Sequence, residues 1–179
     1  CAEVLRSRWR WGYEKFAALI KAGGEKAWRE WVQAYLASIS FVDDQIGRLL
    51  SVLEEQGLRE NTVVLLTGDN GYHVGEKDCV QKWHLWEEST RIPLLVSVPG
   101  MESGFGSACT VPSSHLDLYP TLLDLCDLPS EPHQSDGSRH LALAGRSLVP
   151  LLSPSNRDSW CGREFVVSAV RDPDERVPH

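Results

Sequence analysis

The sequence predicts an α/β fold in which helices cover a sheet. Three observations carry that reading: a long helical periodicity from about Glu25 to Gln56, two short apolar runs at Asn61–Thr67 and Ile92–Val98, and a second helical stretch from Leu118 to Cys126. Helix, strand, loop, strand, helix is the order of a sheet with helices laid against it. The 179 residues suit about one domain. With 42% hydrophobic and 24% charged residues, the composition is that of a globular chain. It excludes a disordered tail, a collagen-like fibre and a small disulfide-stapled scaffold.

Along the chain, residues 1–24 interleave Arg6, Arg8 and Arg10 with Trp9 and Trp11, and Gly23-Gly24 is expected to end that segment. Arg and Trp so mixed can stack on bases or sugars; the blander expectation is aromatic packing with snorkelling arginines. In the following helix Val32, Leu36, Ile39, Val42, Ile46, Leu49 and Leu53 step by three and four, which marks one apolar face. Gly57 is expected to supply the left-handed stop. Asp43 and Asp44 are adjacent on that helix, so their carboxylates do not converge; they read as solvated or structural.

Asn61–Thr67 and Ile92–Val98 are short, apolar and rich in β-branched residues, and each is expected to be a strand buried on both faces. Asp117 is expected to cap the helix from Leu118, where Pro120 falls in the tolerant first turn. Residues 129–140 read as a polar surface loop, and Phe165–Val170 as a last strand. The predicted organisation is a helical Trp/Arg-rich lead-in over 1–33 and a main body over 34–179.

Charge narrows the partners. Lys and Arg number 18 against 25 Asp and Glu, a net −7, which argues against a nucleic-acid or anionic-membrane surface. No apolar run reaches membrane-span length, and the opening residues lack the charged and apolar regions of a signal peptide. Because the chain opens on Cys1 in mid-pattern, a fragment of a longer protein is expected. Five cysteines (Cys1, Cys79, Cys109, Cys126 and Cys161) contain no C-x-x-C pair, against zinc-ribbon and thioredoxin readings. Buried free thiols are expected, with room for one disulfide.

The chemistry concentrates where the first strand ends, in Gly68-Asp69-Asn70-Gly71. Ligands of open α/β sheets gather at the carboxyl ends of strands. Asp69 offers an anionic oxygen and Asn70 an amide oxygen, hard donors that suit Ca²⁺ or Mg²⁺ better than zinc. Taken alone, Asn-Gly reads more readily as a turn dipeptide. The downstream text weighs against the turn alone: Gly75-Glu76-Lys77, then Lys82-Trp83, then Trp86-Glu87-Glu88-Ser89-Thr90-Arg91-Ile92-Pro93-Leu94.

With Ala34–Gly47 before them and Asp117–Leu123 and Gly145–Leu152 after them, these stretches resemble, in order, the C-terminal half of a sulfatase domain. The likeness is closest to the branch of iduronate-2-sulfatase and choline-sulfatase-like enzymes. It implies an alkaline-phosphatase-like α/β/α sandwich, of which only the C-terminal part is present, and hydrolysis of carbohydrate or small-molecule sulfate esters. It also implies one Ca²⁺, or Mg²⁺, and a formylglycine nucleophile made from Cys or Ser. By the same resemblance Asp69 and Asn70 match the late metal ligands, with Asn70 where many of the branch carry His. Lys82 matches the sulfate-contacting lysine, a compact point charge suited to a tetrahedral oxyanion. His73 and His84 are candidates to reach substrate or protonate the leaving group, each with packing as the alternative. His115, His133, His140 and His179 read as structural or loop residues. The family's compartments are periplasmic, secreted or lysosomal.

The family's nucleophile motif, C-x-[PA]-x-R or its serine form, is not found: no cysteine has Arg four residues on. Ser153-Pro154-Ser155-Asn156-Arg157 is a near miss with serine at the middle position, after the Gly145-Arg146-Ser147-Leu148 motif. The early aspartate pair of the metal site has no counterpart either. The expectation is therefore one wall of an active site, inactive alone, whose other wall lies on a preceding half of the domain. Two alternatives stand beside it: a phosphodiesterase or phosphonate hydrolase of the same superfamily, and a non-catalytic truncated module.

Overall fold

The computed structural model describes residues 10–101, 106–129 and 143–168. Helix α1 (Arg10–Glu55) is followed by β1 (Val64–Thr67), β2 (His73–Val74), β3 (Val80–Gln81), the single turn α2 (Glu87–Thr90), β4 (Leu94–Ser97) and α3 (Leu118–Leu125), with short 3₁₀ turns between. The described residues of Cys1–Arg59 and Leu66–Leu95 form one compact unit, and those of Glu60–Leu65 and Val96–Val167 form another.

Helix α1 begins well before the expected Glu25. The predicted stop at Gly23-Gly24 is instead a break within one element: Gly24 alone leaves helical geometry, at φ 61° and ψ −148°. Its two arms are held together because Phe16 and Trp28, one from each side, meet edge to face at 5.5 Å, with Phe16 buried. Trp11, by contrast, is exposed with the Lys15 ammonium 3.6 Å above its ring. The far end closes as expected. Gly57 takes φ 66°, its N–H donates to Glu54 O, and Leu58 N–H donates to Leu53 O, the paired bonds of a Schellman motif. Leu36, Ile39, Val42 and Leu49 of the apolar face stand exposed, as do Asp43 and Asp44.

Among the described residues, the strands form two small sheets, β1 beside β4 and β2 beside β3. The expectation that β1 and β4 are buried on both faces is corrected: Leu66 and Leu95 are exposed. Both strands are shorter than the apolar runs that signalled them, and each has a single neighbour. The antiparallel hairpin β2–β3, pairing His73 with Gln81 and Val74 with Val80, had no sequence signal of its own. It packs on α1, whose Trp28 Nε1–H donates to Val74 O at 2.6 Å. Gly75, at φ 131°, comes so close to the Trp28 ring that a Cβ would overlap the indole.

In the second unit the predicted helix cap moves. Ser114 accepts from Leu116 N, while Ser114 N–H donates to the Asp117 carboxylate at 2.8 Å, a capping box one turn earlier. Asp117 therefore does not cap α3; its other oxygen accepts from Arg146 N at 2.8 Å. Thr121, fully buried, donates to Asp117 O and accepts from Leu148 N at 2.8 Å. These bonds dock the Gly145–Leu152 stretch on α3, with Leu123, Leu148 and Leu151 buried. Phe165–Ser168, expected as a strand, has no regular structure and is exposed. The rest of that run, and all but Pro129 of the 129–140 loop, lie outside the described residues. The four described cysteines are free, and only Cys79 is buried, so the expectation of buried thiols holds for one of them. No helix among the described residues is long and apolar enough to cross a membrane.

Candidate active site

Asp69, Asn70, His73, Lys82 and His84 all fall in the first unit, on the exit of β1 and on the β2–β3 hairpin. Strand β1 ends at Thr67, and the turn that follows brings Asp69 to the surface. Gly71 N–H donates to Ser89 O at 2.8 Å and ties that turn to α2. From the hairpin, Lys82 reaches back and donates to Asp69 Oδ2 at 3.3 Å. Their side chains are 39% and 81% exposed, so both remain open to a ligand. The hydrogen bond from Lys82 is the main reason the Asp69 carboxyl lies below its ordinary value of 3.8.

The hairpin is held from beneath. Cys79 and Val80 are buried against the start of α1, where a Cβ on Gly12 would fall 2.6 Å from Cys79 Sγ and 2.7 Å from Val80 O. His84 Nε2 lies 3.0 Å from Cys79 Sγ, and Tyr13 meets the His84 ring edge-on at 5.6 Å. Burial pushes the Cys79 thiol up to about 11, so it stays protonated and unreactive. On the other side, Lys77 forms an ion pair with Glu88 at 2.5 Å and sits 5.0 Å above the Trp86 ring centroid. Tyr72 stacks on Trp31 and Tyr35 of α1 at 5.9 and 5.4 Å.

His73 and His84 meet edge to face at 5.2 Å, at 0% and 6% exposure. Burial holds both imidazoles below their ordinary 6.5, and for His84 the neighbouring His73 adds to the effect. They are neutral at pH 7. Both ring nitrogens of His73 lack a hydrogen-bond partner, as do the buried Glu88 Oε2 and Ser89 Oγ. Such unmet buried polar groups are rare in folded proteins. From the sequence His73 and Lys82 stand out as candidates, whereas Glu88 and Ser89 have no role of their own there and enter only as part of the Trp86–Leu94 motif.

Asp69 and Asn70 fit a hard cation by donor chemistry: one carboxylate, mostly exposed, and one amide oxygen beside it. No group of three or more His, Cys, Asp or Glu among the described residues could hold a metal ion. Calcium takes about six to eight oxygens. The pair thus suits part of a metal shell and not the whole.

A family model described as Sulfatase matches residues 10–128. The chain is 31% identical over 157 residues to an N-acetylglucosamine-6-O-sulfatase of Bacteroides thetaiotaomicron, covering 83% of this chain and 26% of that one. A solved structure, described as a complex with its substrate D-glucosamine-2-N,6-O-disulfate, superposes with a TM-score of 0.58 at 31% identity, over 72% of this chain and 24% of its own. The phosphonate monoester hydrolase of Agrobacterium radiobacter superposes with a TM-score of 0.54 at 29% identity, over 64% and 21%. The chain spans between 20% and 26% of the length of the curated relatives it matches.

Proposed function

The chain belongs to the sulfatase family and has its alkaline-phosphatase-like α/β fold, and on that premise we propose that it forms one wall of a site for hydrolysis of sulfate esters, carried by sugars or small molecules. The observation that carries the reading is the meeting of Lys82 and Asp69 at 3.3 Å, from two elements, with both side chains open. An ammonium at that place attracts a sulfate and neutralises the charge that grows on its oxygens as the S–O bond breaks. Fixed beforehand by a hairpin pinned to α1, it needs no reorganisation during the reaction.

Asp69 and Asn70 would hold a calcium ion, with magnesium as the alternative; bound there, it supplies polarisation of the sulfate oxygens. Asp69 is then shared between cation and lysine, which orients Lys82 toward the same anion. The His73–His84 pair is assigned to proton handling at the leaving oxygen. Its support is the two unpaired nitrogens of His73. Because both rings are buried, that role requires a path to open to them, whereas Lys82 is already exposed. The nucleophile is not among these residues, and its wall is assigned to a preceding part of the protein.

The test is calcium titration beside kinetics for Asp69→Ala, Asn70→Ala and Lys82→Ala in the complete protein. Asp69→Ala should lose metal and rate together, and Asn70→Ala less of each. Lys82→Ala should keep calcium and lose about 3 kcal/mol of transition-state stabilisation. Equal loss of calcium in Lys82→Ala and Asp69→Ala, or normal turnover in Asp69→Ala, would show the roles to be wrong. A second reading, phosphonate ester hydrolysis, is favoured by the phosphonate hydrolase neighbour. Comparing turnover of matched sulfate and phosphonate esters separates the two.

A further inference from the structure

Four side-chain-bearing residues of one short segment hold left-handed backbone: Lys77 at φ 57°, Asp78 at φ 58°, Gln81 at φ 79° and Trp83 at φ 79°. Trp83 is the outlier among them. A bulky aromatic is disfavoured at positive φ, where glycine would be at ease. Its side chain fills no core, since Trp83 is 57% exposed while its neighbours Cys79, Val80 and His84 make the buried contacts. Strained residues of this kind persist where the surrounding structure holds them for a purpose. Here the hairpin is fixed by α1, and a largely exposed indole stands one residue from Lys82.

We propose that Trp83 is a specificity-determining platform: its indole face receives the ring of a sulfated pyranose whose sulfate lies on Lys82. The inference rests on Lys82 being the sulfate contact, and it adds a residue that selects among sulfate esters. An indole offers a flat apolar surface with little conformational freedom to lose, which suits the C–H face of a sugar ring. Consecutive residues with one cation and one aromatic plate suit a ligand that carries an anion beside an apolar face. Inorganic sulfate has the first feature only, and a glucosamine 6-sulfate has both.

Calorimetric titration of the complete protein with glucosamine 6-sulfate and with inorganic sulfate tests this, using Trp83→Gly, Trp83→Leu, Trp83→Phe and Lys82→Ala. Trp83→Gly should bind the sugar sulfate about tenfold more weakly, keep its affinity for inorganic sulfate, and raise Tm by about 2–4 °C through relief of the backbone. Trp83→Leu should lose sugar affinity as well, and Trp83→Phe should keep most of it. Unchanged sugar affinity in both Trp83→Gly and Trp83→Leu would overturn the platform while leaving Lys82 its role. A lower Tm for Trp83→Gly would make Trp83 a structural residue and overturn it too. Retention of both ligands by Lys82→Ala would instead remove the sulfate contact itself, and the platform with it.

Discussion

His73 and Lys82 stand at opposite ends of a range of environments within one hairpin. Lys82 is open and pairs with an exposed carboxylate, an arrangement that adds little to folding, since exposed ion pairs are worth about 0–1 kcal/mol. Its worth is in what it faces. His73 is fully buried with both nitrogens unpaired, an arrangement that costs stability. The pH dependence follows from the depressed histidines. Their folded values lie below 6.5, so the unfolded chain binds more protons as pH falls through 6.5 toward those values. Stability should be full above about pH 7 and decline through that window, seen as a falling Tm between pH 7.5 and 5.5. His73→Leu should flatten the decline; an unchanged slope would mean that other groups cause it. A second loss is expected below pH 4, where Asp69 and Glu88, held low by Lys82 and Lys77, take up protons.

At the scale of the element, the hairpin and α1 depend on close backbone approach. Gly75→Ala combines a left-handed backbone with a Cβ driven into the Trp28 ring, and should cost about 2–4 kcal/mol. Loss of the Trp28 contact would be read as a red-shifted emission together with a lower midpoint in urea. A wild-type midpoint for Gly75→Ala would mean that the hairpin is free to shift. In the second unit, Thr121→Val keeps shape but removes the acceptor for Leu148 N inside a buried site. The expected cost is about 1–3 kcal/mol. Thr121→Ser, which retains the hydroxyl, should recover most of it, and equal losses in the two variants would shift the cause to the missing methyl.

For the whole molecule, the exposed stripe on α1 and the single-neighbour strands β1 and β4 leave apolar surface open to water. The isolated 179-residue chain is accordingly expected to bind a hydrophobic dye and to melt with low cooperativity. It should also turn over no aryl sulfate above a metal-free blank, since nucleophile and charge clamp act as a unit. A sharp melt without dye binding would refute the first expectation, and measurable turnover the second.

Much of this was legible without coordinates. The periodicity of α1 from Glu25 onward, its Gly57 stop, the cores of β1 and β4, and α3 all follow from local pattern, because spacing and glycine or proline placement act over a few residues. So does the ordered set of motifs from Ala34 to Leu152, which led to the family. Other features were decided only by tertiary structure. Gly23-Gly24 has the pattern of an end and is a break within one helix, whose two arms Phe16 and Trp28 hold together. Asp117 looked like a cap and became an anchor, because Arg146 N arrives from 29 residues away. The β2–β3 hairpin and the burial of the His73–His84 pair arise because α1 packs against that segment. Pattern within a segment cannot announce what a distant helix will impose on it.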